Sequence, residues 1–428
     1  MELATGLVIL FLFLIIGFPV ALSMALAGAV GIWLIGGDVT LLSILRTSPM
    51  SSVNNYEIVT IPLFILMAEF IIISGVAKDL FTSASVWVGK VRGGLAMATA
   101  LAGAGFAAIS GSSTAAAATL ASTSLPAMID AGYDPKVAAG TVAISGTLAM
   151  LIPPSIALII YGIIADVPVG KLLIGGVIPG ILVTLAIMTT ILVIVTKDPS
   201  LAPTGRRYTI MEKIRSLRNT GPMILLLFAV TGLIYTGIAT PTESAGIGAF
   251  VACLIAAWKR QLSFQGTWKA LINTGHTTCM ILFIMLGAQL FGYFLTLSQA
   301  TVELVNWIDT LPLPPLAIMA IILVGYIILG FFLDQVAILI LTVPVLLPVI
   351  INLGFDPVWF GVIVVVTAEV GMVTPPMGMN VFIVKKYTDR SLVEIFQGVI
   401  PHIYAHIVVI TLLTIFPALV LWLPNSMR

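Results

Sequence analysis

Long apolar stretches follow one another from end to end of the chain, separated by short polar connections. They occupy residues 4–36, 57–76, 94–131, 136–165, 170–196, 221–257, 278–297, 316–353, 358–386 and 395–424. About 20 apolar residues in a helix cross a hydrocarbon core about 30 Å thick. The stretches lack the apolar and polar alternation of a membrane β-barrel. The pattern therefore predicts an all-α integral membrane protein.

Two stretches of 38 residues carry a polar interruption at their middle. Residues 94–131 are rich in Ala, Gly, Ser and Thr around the run Ser110–Thr114, and residues 316–353 contain Leu333-Asp334-Gln335. Non-helical backbone at membrane depth is tolerated only where protein or a water-filled cavity shelters it. We therefore predict two re-entrant helical hairpins, each with a non-helical tip.

Paired prolines interrupt two other stretches. Pro153-Pro154 lies within residues 136–165, and Pro375-Pro376 lies within residues 358–386. Proline removes an amide donor and clashes with the preceding turn, so neither stretch continues as one helix. We predict a broken transmembrane helix in each.

These interruptions recur at one spacing. An ungapped shift of 222 residues superimposes residues of the two halves that typically end or bend helices. They are Pro126 on Pro348, Gly132 on Gly354, Asp134-Pro135 on Asp356-Pro357, Pro153-Pro154 on Pro375-Pro376, and Pro179 on Pro401. We therefore divide the chain into a first repeat, 1–196, and a second repeat, 221–428, joined by a linker at 197–220.

Charged residues orient the two repeats. The linker has a basic excess, because Lys197, Arg206, Arg207, Lys213, Arg215 and Arg218 stand against Asp198 and Glu212. Basic excess beside spans places a loop in the cytoplasm. We count the stretches 4–36 and 221–257 as two crossings each, which gives five crossings in each repeat. Because five is odd, the second repeat should have the inverted topology of the first. This predicts both termini in the periplasm and hairpins that enter from opposite faces.

Composition supports the membrane assignment and excludes other classes. The 428-residue chain is 60% hydrophobic and 9% charged, with a mean hydropathy of +1.17 and a net charge of +1. Its partner is the lipid bilayer, and the charge argues against nucleic acid. A phosphate-binding Gly-x-x-x-x-Gly-Lys-Ser/Thr motif is absent, and no histidine stands beside Ser145 as an activating base. We therefore expect no ATP hydrolysis, no intramembrane protease and no other enzymatic activity.

Tips and breaks together indicate where ligands bind. Half-helix N-termini direct partial positive charge at the membrane midplane, which suits a carboxylate. Unwound carbonyls, hydroxyls and carboxylates suit sodium. An ion channel is an alternative, but channels gather identical loops around one axis. The two tips here differ, one neutral and one acidic.

Five motifs resemble the large membrane subunit of tripartite ATP-independent periplasmic (TRAP) transporters over essentially the whole chain. They are Gly111-Ser-Ser-Thr-Ala115 with Leu125-Pro126, Ile152-Pro-Pro-Ser155, Ala239-Thr-Pro-Thr-Glu-Ser-Ala245, Gly330-Phe-Phe-Leu-Asp334 and Val373-Thr-Pro-Pro-Met-Gly378. The resemblance implies a sodium-coupled importer of organic acids in the bacterial inner membrane, working by an elevator motion. It also implies a periplasmic substrate-binding protein and a small four-helix membrane subunit, expected here as a separate chain.

Within this framework we assign three groups of site residues. The first sodium site comprises Ser110, Ser112, Ser113, Ser145, Gly146 and Pro153, and the second comprises Asp334, Gln335, Thr367, Gly371, Thr374 and Met377. Candidate substrate contacts are Thr114, Ser155 and Asn380. Sodium is the only metal expected, with no organic cofactor. C4-dicarboxylates and sialic acid both fit, and a sodium/anion symporter without a binding protein remains an alternative.

Five other polar residues lie in apolar surroundings. Glu69, Glu243 and Glu369 are candidates for a proton relay, but structural roles are favoured, with Glu243 placed to cap a helix. His402 and His406 lack metal-ligand spacing, and we expect them near a membrane interface.

Overall fold

The computed structural model describes residues 2–427, apart from the side chains of Ser52, Val53 and Asn219, and every regular element in this range is helical. Eight helices of the described chain are long and apolar enough to cross a membrane. A helix pair bent by 66° between Arg218 and Thr220 supplies a ninth candidate crossing. The prediction of an all-α membrane protein is confirmed.

The first half contains ten α-helices and two short 3₁₀ turns. The helices are α1 (Glu2–Ile16), α2 (Val20–Val53), α3 (Thr60–Ile73), α4 (Val76–Val88), α5 (Gly94–Ser110), α6 (Ser113–Asp130), α7 (Pro135–Thr147), α8 (Ile156–Ala165), α9 (Val169–Gly175) and α10 (Val177–Lys197). The 3₁₀ turns, Tyr56–Val59 and Leu148–Met150, precede α3 and follow α7.

The second half contains ten further α-helices. They are α11 (Ile210–Tyr235), α12 (Pro241–Trp258), α13 (Phe264–Leu297), α14 (Ala300–Asp309), α15 (Pro315–Phe332), α16 (Gln335–Asn352), α17 (Pro357–Gly371), α18 (Met379–Lys385), α19 (Leu392–Ile415) and α20 (Ala418–Asn425).

Helices α4 and α14 lie where the sequence suggested loops. They have 13 and 10 residues, too few to span a membrane. In α4, Val76 and Leu80 are buried while Lys78 is exposed. Three apolar positions per two turns are sufficient to hold a helix on a protein surface. The expectation of loops was wrong because it rested on charge alone.

Four other boundaries differ from the sequence prediction. Helix α2 continues to Val53 through a non-helical Gly37, and α13 begins at Phe264 rather than near 278. The second part of the basic linker is helical from Ile210, where Thr209 and Glu212 form a reciprocal capping box. The last apolar stretch is divided between α19 and α20 at Phe416 and Pro417.

One group of helices, α1, α2, α3, α12 and α13, packs through small residues. A Cβ added to Gly287 of α13 would lie 2.2 Å from the Ala21 carbonyl oxygen of α2, and one added to Gly28 would lie 2.7 Å from the Leu290 backbone. Without a hydrophobic drive between helices in lipid, such close backbone approach supplies the contact. These five helices carry none of the predicted tips or breaks.

A second group contains the interrupted helices, and its packing is crosswise. Helix α8 of the first half packs on α16 of the second, and α18 of the second half packs on α6 and α7 of the first. The arms α5 and α6 contact α7, while α15 and α16 contact α17. The interrupted segments of both halves thus form one cluster.

Candidate functional site

The first tip is a two-residue interruption between α5 and α6. Gly111 has φ +55°, a left-handed conformation that ends α5 and favours glycine. The Ser112 hydroxyl caps α6 by accepting from the Ala115 amide at 3.4 Å, and it lies 3.1 Å from the Thr114 hydroxyl. Ser110 donates to the Ser112 carbonyl at 3.4 Å. The tip is therefore dense in hydroxyl and carbonyl oxygens.

The second tip, Leu333-Asp334, separates α15 from α16. Asp334 caps α16 by accepting from the Ala337 amide at 2.9 Å. Gln335 is fully buried and donates from its side-chain nitrogen to the Val365 carbonyl of α17 at 2.8 Å. Its side-chain oxygen has no hydrogen-bond partner among the described residues. This tip presents one carboxylate and one unpaired amide oxygen.

The arms on either side of each tip are 17 or 18 residues long. At 1.5 Å per residue they reach about 26 Å, close to a full crossing. Helix, break and helix are present in both predicted segments, and their re-entrant placement stays a prediction.

The first break follows α7. Ser155 caps α8 by accepting from the Leu158 amide at 3.2 Å, and its hydroxyl donates to the Met150 carbonyl. Pro153 is buried, and its peptide bond to Pro154 is cis. The Ser155 hydroxyl therefore already serves the break itself.

The second break runs from Met372 to Gly378. The Thr374 hydroxyl donates to the Val370 carbonyl at 2.5 Å, and the backbone N–H of Asn380 donates to the Met372 carbonyl at 3.2 Å. Gly378 has φ +60°. Met377 is 48% exposed, so the break does not enclose it.

One side chain joins the second break to the first tip. Asn380 donates from Nδ2 to the Ser113 hydroxyl at 2.7 Å and lies 3.4 Å from the Ala143 carbonyl of α7. Both Asn380 and Ser113 are fully buried, and the Asn380 Oδ1 has no partner in the described chain. A predicted substrate contact and a predicted sodium ligand are thus in direct contact.

Glycines bring other site residues close. A Cβ added to Gly103 of α5 would lie 2.9 Å from the Ser145 carbonyl oxygen, and one added to Gly146 would meet Ala117 of α6 at 2.8 Å. In the second half, a Cβ on Gly330 would lie 2.8 Å from the Gly371 Cα. The residues before each break therefore pack directly against the arms of the neighbouring tip.

Hydroxyls at the site keep lone pairs available. Ser145 donates to the Thr141 carbonyl at 2.6 Å, and Thr367 donates to the Ile363 carbonyl at 2.7 Å. Donation uses the hydrogen and leaves the oxygen able to coordinate a cation. Among the described residues, no group of three or more His, Cys, Asp or Glu could hold a metal. Neutral oxygens suit a hard cation such as sodium better than a transition metal.

Some residues assigned to one sodium site are not hydrogen-bonded to each other. In the described chain, Asp334 makes no hydrogen bond to Thr367 or Thr374, and its carboxylate is engaged in the α16 cap. Sequence reasoning did not find the carbonyls of Ala143 and Val365, because backbone groups leave no signal in residue identity.

The three acids differ in burial: Glu243 is exposed, Glu69 is partly buried and Glu369 is buried. Glu243 forms a capping box with Thr240, whose amide donates to it at 2.8 Å, and Glu69 accepts from Asn273 at 3.2 Å. Glu369 is completely buried, and its carboxyl group lies beside the backbone of Met150 in the first break. His402 and His406 are 1% and 0% exposed and lie inside α19, packed against other helices. Their position near a membrane interface stays a prediction.

Comparison with known proteins gives a consistent result along the chain. The family model for the DctM component of tripartite ATP-independent periplasmic transporters matches residues 7–419. The C4-dicarboxylate TRAP transporter large permease protein DctM of Pseudomonas aeruginosa is 35% identical over 406 residues, covering 94% of each chain.

A second relative and a solved structure extend the comparison. The sialic acid TRAP transporter large permease protein SiaM of Vibrio cholerae is 30% identical, over 96% of this chain and 95% of its own. The YdaH transporter of Alcanivorax borkumensis superimposes with a TM-score of 0.66, covering 97% of this chain and 98% of YdaH. At 14% identity, that likeness concerns the fold alone.

Proposed function

Because this chain belongs to the DctM component family of tripartite ATP-independent periplasmic transporters, we propose that it imports a small organic acid by coupling it to sodium. The family is one of transporter permeases, and the chain is a multi-pass protein of the bacterial inner membrane. Coupling ion and substrate class are the proposal.

The observation that carries the proposal is the buried hydrogen bond from Asn380 to Ser113. It joins the N-terminal turn of α18 to that of α6, so two helix starts converge. A helix start carries a partial positive charge, although the Asn380 backbone amide of α18 and the Ala115 amide of α6 already donate within the protein. An organic carboxylate between them would be held by backbone amides and neutral side chains.

Substrates of the acid type fit this chemistry. Neither tip contains an arginine or lysine, so anion recognition would rest on helix starts and hydroxyls. Relatives are described as C4-dicarboxylate and sialic acid permeases. We propose a substrate of one of these two types.

Two sodium sites would flank the acid. The first would use oxygens of the neutral tip with Ser145, Gly146 and Pro153, and the second would use Asp334 and Gln335 with Thr367, Gly371, Thr374 and the Met377 backbone. Inward movement of one net positive charge releases about 2.3 kcal/mol per 100 mV. Two or more sodium ions with a mono- or divalent acid would drive accumulation.

The tripartite family implies two partners, a small membrane subunit and a periplasmic binding protein. For this chain we propose a separate four-helix subunit packed beside it and delivery of the acid by the binding protein. We also propose an elevator motion, in which the cluster of interrupted helices moves against α1, α2, α3, α12 and α13. In this proposal the two groups of helices described above would be the two bodies that move.

A reconstituted system tests the proposal. Vesicles containing the chain with its small subunit would receive binding protein loaded with radiolabelled succinate or sialic acid. We expect saturable uptake of one of them, driven by an inward sodium gradient and stimulated by a negative interior. Uptake that ignores sodium, or that proceeds equally without the binding protein, would contradict it.

A further inference from the structure

A cleft of about 410 Å³ lies away from the tips, between the two groups of helices. On one side it is lined by α13 with the end of α2, including Ser51, Gln289 and Tyr293. On the other it is lined by Ile163 and Ile164 of α8 and Pro344 of α16. The cleft therefore spans the seam between the group that carries the breaks and the group that does not.

The two helices on the second side of the cleft, α8 and α16, both begin at the candidate site. Helix α8 starts at the first break and α16 starts at the second tip. Ile163 is seven residues into α8 after Ile156, and Pro344 is nine residues after Gln335. At 1.5 Å per residue, the cleft lies about 10 to 14 Å along these helices from the discontinuities.

The lining suits an organic acid. Asn55 uses its side-chain oxygen to accept from the Glu57 amide at 2.8 Å, which leaves its Nδ2 as a donor. The Ser51 hydroxyl accepts from Gln289 at 3.1 Å and donates to the Ser48 carbonyl at 3.0 Å, so it is fully engaged. Tyr293 and Thr301 add hydroxyls, and the isoleucines add an apolar wall.

Charge does not dominate this cleft. None of the described residues lining it is acidic or basic. The carboxylates of Glu57 and Asp166 repel each other, and neither residue lines the cleft. Neutral donors hold an anion weakly, which permits passage rather than tight retention.

We propose that this cleft is an access vestibule in which the organic acid is held on its way to the site between the tips. The inference rests on the proposed transport function. It assigns to Asn55, Tyr293 and Thr301 a transient contact with the acid's oxygens. An acyl chain of a lipid is the competing occupant, but it would leave the amide and hydroxyl donors unpaired.

Gly292 offers a direct test because it lines the cleft and a Cβ there meets no atom within 4 Å. Gly292→Trp should fill the cleft without disturbing packing and reduce the initial uptake rate at least tenfold. Gly275→Trp is the matched control, since Gly275 lies on the same helix, also in open space, and does not line the cleft. The control should stay within twofold of the parent protein.

A chemical version separates blockage from misfolding. On a background with Cys253→Ala and Cys279→Ala, Gly292→Cys should transport normally until a charged, membrane-impermeant thiol reagent modifies it. Modification should stop uptake, and saturating transported acid, succinate or sialic acid, should slow the modification several-fold.

Three outcomes would overturn the vestibule. They are normal uptake by Gly292→Trp, modification without protection by the acid, or modification only by an apolar maleimide, which would indicate lipid. Sodium-driven uptake by the parent protein is measured first. Its absence would defeat the transport proposal, whereas normal parental uptake with any of the three outcomes would defeat only the vestibule.

Discussion

Asp334 has two roles that a substitution separates. Its carboxylate caps α16 through the Ala337 amide, and it is the only formally charged side chain at either tip. Asparagine also caps helices well, whereas alanine loses about 1 kcal/mol at such a position. Asp334→Asn therefore removes the charge and keeps the cap, while Asp334→Ala removes both.

We expect sodium-stimulated uptake to fall at least tenfold in Asp334→Asn and in Asp334→Ala, with lower thermal stability only in the alanine variant. Asp356→Asn is the matched control, because Asp356 caps α17 in the same way, accepting from the Val358 amide at 2.7 Å, outside both tips. Uptake by reconstituted vesicles and unfolding in detergent measure the two effects. Full sodium stimulation in Asp334→Asn would refute the second sodium site.

Between α15 and α17 the contact depends on two glycines. A Cβ on Gly330 would lie 2.6 Å from the Ala368 carbonyl oxygen, too close for any side chain without backbone movement. Overpacking of this kind costs about 1 to 3 kcal/mol. We expect Gly330→Ala to lower the unfolding temperature and to reduce uptake, because it displaces the second tip from the helix before the break.

Gly325→Ala on the same helix provides the comparison. A Cβ at Gly325 meets no atom within 4 Å, and alanine is favoured over glycine in a helix by about 1 kcal/mol. This variant should keep or raise the unfolding temperature and keep uptake. Equal loss in both variants would mean that helix α15 tolerates no change, irrespective of the tip.

Prolines and glycines made the interrupted elements predictable from sequence. Pro153-Pro154 and Pro375-Pro376 fixed the position of each break, since proline cannot continue a helix. The surface helices α4 and α14 were missed because their charges masked a narrow apolar face. Helix bounds at 264 and 210 were missed because a run of polar residues at the start of a helix resembles a loop in sequence.

At the candidate site, the sequence predicted which residues take part better than it predicted the hydrogen bonds between them. Asn380 was a candidate substrate contact, yet only the structure places it on Ser113, 267 residues earlier in the chain. The exposed Met377 side chain and the engaged Ser155 hydroxyl depend on local backbone direction. Residue identity carries no information about that direction.

The arrangement of the whole chain across the membrane is open to a paired test. Lys90 and Thr310 occupy corresponding loops under the 222-residue repeat, as do Lys171 and Asp389, and all four are exposed. An inverted repeat requires the two members of each pair to lie on opposite sides. Lys90 and Asp389 should be cytoplasmic, and Lys171 and Thr310 periplasmic.

Single cysteines at these positions, in a chain otherwise free of cysteine, would report the sides. A membrane-impermeant maleimide applied to spheroplasts should label Lys171→Cys and Thr310→Cys. It should reach Lys90→Cys and Asp389→Cys only after the membrane is permeabilised. Labelling of both members of one pair from outside would show that the repeats are not inverted.

Crosswise packing also has a consequence for the synthesis of the protein. Asn380, the hydrogen-bond partner of Ser113, follows it in the chain by 267 residues. At a translation rate of 5–20 residues per second, Asn380 is synthesised roughly 13 to 53 s after Ser113. During this time α6 and α7 lack the Asn380 side chain that contacts Ser113 and the Ala143 carbonyl. The nascent first half therefore depends on lipid, the insertion machinery or water to shelter Ser113 until the end of the second half emerges from the ribosome.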